Sequence, residues 1–170
     1  LMPNGKVLVA GGGAADAEVF DSAGPGWAPG GAMADARNGH TATLLPSGQV
    51  LVAGAPWDYS FILPHSDLYD PVTEAWTPTG SLNYARWGHT ATLLLNGQVL
   101  VVGGNTEDDS FTGAELYEPP TGMWRVTGSL DTARVGHTAT LLPNGNVLIA
   151  GGEYYDGSAW VRIAQAQLYD

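Results

Sequence analysis

The sequence predicts an all-β protein built from four-stranded antiparallel units of about 50 residues, and three observations predict it. The first is repetition: Gly39-His40-Thr41-Ala42-Thr43-Leu44-Leu45 returns as Gly88-His89-Thr90-Ala91-Thr92-Leu93-Leu94 and as Gly136-His137-Thr138-Ala139-Thr140-Leu141-Leu142. The second is fixed spacing. His to turn Gly (40 to 48, 89 to 97, 137 to 145), acidic residue to Trp (21 to 27, 70 to 76, 118 to 124) and Trp to the next His (27 to 40, 76 to 89, 124 to 137) never change. The third is the single elastic interval, from turn Gly to acidic residue (5 to 21, 48 to 70, 97 to 118, 145 to 170). A rigid scaffold with one variable loop per unit collects its insertions on one face. No stretch has the apolar spacing of a helix.

Within a unit, Thr-Ala-Thr-Leu predicts a first strand by its β-branched alternation. Pro3-Asn4-Gly5-Lys6, Pro46-Ser47-Gly48-Gln49, Leu95-Asn96-Gly97-Gln98 and Pro143-Asn144-Gly145-Asn146 predict tight turns, because Asn-Gly tolerates the positive φ that short hairpins need. The second strand, Val50-Leu51-Val52-Ala53 or Val99-Leu100-Val101-Val102, is apolar throughout, which implies burial on both faces. It stops at Gly11-Gly12, Gly54, Gly103-Gly104 and Gly151-Gly152. After the elastic loop, Ala17-Glu18-Val19-Phe20, Ser66-Asp67-Leu68-Tyr69, Ala114-Glu115-Leu116-Tyr117 and Ala166-Gln167-Leu168-Tyr169 predict third strands. The fourth carries Trp27, Trp76 or Trp124, which their repetition predicts to be buried.

Four-stranded units at this period fit the blades of a β-propeller. The residues Gly-His-Thr-Ala-Thr-Leu-Leu, Asn-Gly-x-Val-Leu, Gly-Gly, Leu-Tyr-Asp and the following Trp resemble the bacterial form of the kelch repeat, over essentially the whole chain. The resemblance implies one propeller segment over 1–170: a partial blade 1–32, blades 33–81 and 82–129, and a partial blade 130–170. That makes about 14 strands, or about three and a half blades, where propellers close with about four to eight. The opening Leu1-Met2-Pro3-Asn4-Gly5 reads as the tail of a repeat, so upstream sequence is expected. An open arc would expose apolar blade faces that another copy or further chain would cover.

Composition limits the partners. A net charge of −11, with six Lys and Arg in 170 residues, excludes a cationic surface for nucleic acid or anionic membranes. No apolar run approaches the length of a membrane span, and no signal peptide is visible. Cysteine is absent, so thiolate and disulfide chemistry are excluded. The expected location is extracellular or at the cell surface.

His40, His89 and His137 are expected on the innermost strands, where a ring of imidazoles suits a metal but identical repetition favours packing. Arg37, Arg86 and Arg134, with Glu18, Asp67 and Glu115, predict repeated ion pairs or bonds to loop carbonyls. The resemblance also implies that the fourth-to-first links open beside the second-to-third loops, putting Arg86 at the rim of a site. Gly11-Gly12-Gly13 is not a dinucleotide loop, because a strand follows it. His65-Ser66-Asp67 is not a triad, because neighbours on a strand point to opposite faces. The acidic run Asn105-Thr106-Glu107-Asp108-Asp109-Ser110 lacks the pattern of a calcium loop.

The candidate site is the set of large and acidic residues off the repeat: Trp57, Asp58, Tyr59, Tyr84, Arg86, Trp87, Glu107, Asp108, Asp109, Tyr154, Tyr155 and Asp156. Aromatics interleaved with carboxylates suit a glycan or a protein partner. Phe61, Phe111 and Trp160 are expected to begin third strands and pack. The first expectation is therefore a non-catalytic binding module without cofactor or metal, recognising a protein or glycan through its loops. The second is a scaffold within a larger enzyme resembling the galactose-oxidase-like copper oxidases, whose cysteine–tyrosine cofactor this chain cannot form. The third is a self-assembling structural unit.

Overall fold

The computed structural model describes residues 1–54, 63–107 and 109–170. They form antiparallel sheets without a helix, and hence without a helix long and apolar enough to cross a membrane. The first sheet has three strands in the order β1 (Val7–Ala10), β2 (Ala14–Asp21) and β3 (Gly26–Arg37). The second is the meander β4 (Thr41–Leu44), β5 (Val50–Ala53), β6 (Ser66–Asp70) and β7 (Ala75–Thr79). The third repeats it as β8 (Thr90–Leu93), β9 (Val99–Val102), β10 (Ala114–Glu118) and β11 (Met123–Thr127). The fourth pairs β12 (Thr138–Leu141), β13 (Val147–Ala150) and β16 (Ala166–Tyr169), with the two-stranded hairpin β14 (Glu153–Tyr155) and β15 (Trp160–Arg162) inserted.

The sheets stack in chain order, and the dry layers lie between them. Period-two alternation splits each second strand between two layers. Val50 and Val52 of β5, with Tyr69 of β6, face Val19 and Met33 of the first sheet. Leu51 and Ala53 face the third, against Val99, Val101, Tyr117 and Trp124. Leu100 and Val102 of β9 then meet Val147 and Ile149 of β13. This two-sided burial is why those strands are apolar throughout. β4 lies beside β8, and β8 beside β12, so the first strands gather along one edge of the stack. The stack is open: Val9 on the first sheet and Leu168 on the fourth are exposed.

Successive sheets are joined by one set of contacts, used repeatedly. Thr41 Oγ1 meets His89 Nε2 at 3.0 Å, and Thr90 Oγ1 meets His137 Nε2 at 2.9 Å. Each imidazole lies over a glycine of the sheet before it. A Cβ at Gly54, already at φ +107°, would collide with His89 Cε1, and one at Gly103 would come within 2.9 Å of His137 Cε1. The indole Nε1 of Trp76 donates to Gly30 O at 2.8 Å, and that of Trp124 to Gly80 O at 3.0 Å. The hydroxyls of Tyr117 and Tyr169 pair with Thr79 and Thr127 at 2.8 and 2.7 Å.

Three expectations need correction. Trp27 is 55% exposed, against 7% for Trp124, because each indole is covered by the preceding sheet and no described residue covers the first. The interval 145–170 is long enough to fold a hairpin of its own, so sixteen strands are described rather than about 14. β3 runs on to Arg37, past the expected boundary at 32, through register shifts at Ala14/Asp16 and Asp16/Glu18. Bulges let a strand bend and continue past such irregularities.

Candidate ligand-binding face

Three of the four elastic loops are closed at the base by a buried arginine. Arg37 Nη1 donates to Gly54 O at 2.6 Å and His65 O at 2.7 Å, the two ends of one loop, while Nη2 pairs with Asp67 Oδ2 at 2.6 Å. Arg86 does the same with Gly103 O (3.2 Å), Gly113 O (2.7 Å) and Glu115 Oε1 (2.7 Å). Arg134 reaches Gly151 O (3.2 Å) and Gln165 O (3.1 Å), with Gln167 standing where the carboxylate would be. The planar fork spans both carbonyls at once, so loop length varies above a fixed base. Arg86, expected at the rim, is therefore fully buried in the sheet.

The clamp also positions an aromatic side chain. Glu115 accepts from Asn83 N and Nδ2 through Oε2, both at 2.7 Å, and from Tyr84 N through Oε1 at 3.1 Å. Tyr84, held there, stacks on Phe111 with ring centres 5.1 Å apart, and Arg86 Cζ lies 4.7 Å from the Phe111 centre. Trp87 exchanges both backbone bonds with Asn105, at 3.0 and 2.8 Å, and Val135 does so with Glu153, at 2.9 and 3.0 Å. The fourth-to-first links thus lie beside the second-to-third loops, as the resemblance implies.

Trp160 and Phe111 do not begin third strands. Trp160 opens β15 and packs on Tyr155 with centres 5.6 Å apart, while Phe111 precedes β10. Asp156 turns this hairpin, its Oδ1 accepting from Ser158 N, Ser158 Oγ and Ala159 N, and these bonds hold its carboxyl below the usual carboxylate range. Ser110 Oγ accepts from Tyr155 N at 3.2 Å, joining hairpin to loop. Tyr84 (48%), Tyr155 (41%) and Trp160 (49%) remain exposed, whereas Trp87 and Tyr154 are half-buried. Glu107 and Asp109 are exposed, and Asp109 N and O close a turn with Thr106. Trp57, Asp58, Tyr59, Phe61 and Asp108 lie outside the described residues.

The sequence places Asn105 and Ser110 only in an acidic loop, without their bridging role. A signal existed: Asn105 and Glu153 both follow a double glycine, and both bridge to the residue before a Gly-His. At the opposite end, the turns around Pro46, Gly97 and Pro119 border a cleft of about 580 Å³ between the second and third sheets.

The remaining candidates lie in or beside the sheets. Asp67 is taken by Arg37, His65 Nδ1 bonds Asp35 Oδ2 at 2.7 Å, and Ser66 Oγ is buried without a partner, so these three make no triad. Among the described residues no three His, Asp or Glu side chains gather as a metal would require. Burial, helped by the charge of Arg86, lowers His89 to about 3; burial, helped by Arg134, lowers His137 to about 4. His40 is lowered by the same two causes, burial and then Arg37. Between those values and the unfolded value near 6.5, the unfolded chain takes up protons that the folded one refuses. Stability should therefore fall as pH drops below about 6.5, by up to about 1.4 kcal/mol per pH unit for each of His89 and His137. Urea midpoints at pH 7.5 and 5 test this. A His89→Gln variant should show a shallower loss, and equal slopes in both proteins would refute it.

No family model matches the chain, and no curated protein matches it either.

Proposed function

We propose that the chain is an arc of a kelch-type β-propeller and acts as a non-catalytic binding module, taking a protein or glycan ligand on its loop end. One observation carries this reading. The off-repeat aromatics Tyr84, Tyr155 and Trp160 stand exposed, in pairs, at the end where loop length varies. Solvent-facing aromatics add nothing to a scaffold, whereas rigid rings give binding energy at small entropic cost. The arginine clamps support it by separating loop sequence from sheet stability. An enzymatic reading of the wider protein would place the chemistry in residues other than these.

The same proposal has the exposed end faces covered by another copy or by further chain. The exposed indole of Trp27 supports that part, because its counterparts are covered.

The binding reading is tested by the double change Tyr84→Ala with Tyr155→Ala. Both side chains are half in solvent, so the thermal midpoint should stay within about 4 °C while ligand affinity falls at least about tenfold. Affinity that survives this change, but is lost on altering Pro46 and Pro119 at the cleft, would move the site to the opposite end.

A further inference from the structure

The six basic side chains of this chain are all described, and their distribution is lopsided. Arg37, Arg86 and Arg134 are buried in the clamps. Lys6 lies 3.8 Å from Asp21 and 3.6 Å from Glu74, and Arg125 lies 3.1 Å from Glu118. Both of these belong to the turn end. Arg162 is thus the one exposed cation at the loop end, and it opposes Glu153 across β14 and β15. Glu107, Asp109, Asp131 and Asp156 are exposed at that end as well.

Carboxylates alone only make a solvated surface. The aromatic pairs are a separate observation with the same preference, because a ring face carries negative potential and attracts cations. The chain already uses this attraction internally, where the Arg86 guanidinium sits over Phe111 at 4.7 Å. Tyr84 stacks on that same ring, and Ser110, the residue before it, holds the backbone of Tyr155, so the two pairs form one patch.

We propose that the loop end binds a Lys- and Arg-bearing segment of another protein. This inference rests on the binding-face reading above and narrows it. Ammonium and guanidinium heads meet the carboxylates and ring faces, while their methylene stems lie along the aromatics. The field of the acidic end steers such a segment toward it. A neutral sugar would draw nothing from the field of the acidic end. Anionic ligands are repelled.

The test is titration of the full chain with three probes: a synthetic peptide of Arg, Lys, Ser and Gly, its counterpart with Glu in place of the basic residues, and a neutral glucose hexasaccharide. Tryptophan indole NMR signals and fluorescence provide the readout. The basic peptide should bind, shift the Trp160 signal, and weaken with added salt. Tyr155→Ala and Trp160→Ala should each lower its affinity by about tenfold. Asp109→Asn, which keeps the oxygen that accepts Ser110 N, should lower it less. Should Trp160→Ala loosen the hairpin, Tyr84→Ala reads the same patch from a separate element. Basic-peptide binding that none of these variants weakens means diffuse attraction to an acidic surface and overturns the inference. Hexasaccharide binding that the same variants abolish, without peptide binding, overturns the inference and leaves the binding face standing. If no probe disturbs Trp160, both fall.

Discussion

Replacing Arg86 with alanine is expected to cost about 3–5 kcal/mol, the range for removing one partner of a buried ion pair. Its guanidinium is fully buried and satisfies Gly103 O, Gly113 O and Glu115 at once. Removing it strands two carbonyls and a carboxylate in the interior, and each stranded group carries its own desolvation penalty. Asn83 and Tyr84 still donate to Glu115, which keeps the loss from growing further. Arg134→Ala should cost less, about 1–3 kcal/mol, because Gln167 leaves no charge behind. Urea titration of both variants checks the order, and a double-mutant cycle with Glu115→Ala isolates the pair. A loss below about 1 kcal/mol for Arg86→Ala would show that the loop closes without its clamp. Because Glu115 also holds Tyr84, this variant should lose ligand affinity along with stability.

The second large effect is graded along the chain. Trp124→Ala should cost about 3–5 kcal/mol, as for other aromatic truncations in a core. Its indole packs between two sheets and donates to Gly80 O. Trp76→Ala, half-buried with the same bond to Gly30 O, should fall below that value. Trp27→Ala should cost less than about 1 kcal/mol, since its ring packs on Phe20, at 5.1 Å, and is 55% exposed. Denaturant midpoints of the three variants give the order, and equal losses would contradict it. Acrylamide quenching adds the end-face test: Trp27 should be accessible in the monomer and protected wherever a second copy or further chain covers it.

Much of this architecture was legible in the sequence, because repetition reports constraint directly. Identical spacing from His to turn Gly and from acidic residue to Trp located the strands. The pairing of one arginine with one carboxylate per unit anticipated the clamps of Arg37 with Asp67 and Arg86 with Glu115. What stayed illegible depends on neighbours rather than on the unit itself. Trp27, Trp76 and Trp124 have the same local setting, and their burial differs with the sheet that precedes each. The β14–β15 hairpin has no counterpart in the other units, so repetition could not reveal it, although Asp156-Gly157 offered a local turn signal. Of the candidate site, Tyr84 and Tyr155 stand exposed as a binding surface needs, whereas Arg86 serves the scaffold. The bridging role of Ser110 and Asn105 was overlooked because a polar residue in an acidic loop looks solvated until its partner strand is known.

The side-chain contacts that histidine, tryptophan and tyrosine make between sheets run one way. Histidine, tryptophan and tyrosine always belong to the later sheet, and the threonine, glycine and carbonyl that receive them belong to the earlier one. An emerging chain therefore meets each receiving surface already made: by the time His89 leaves the ribosome, Thr41 and Gly54 are there to hold it. For these contacts growth can proceed in the order of synthesis, each unit docking on the last, whereas the Arg37 clamp at the end of the first sheet closes only once Gly54, His65 and Asp67 have followed.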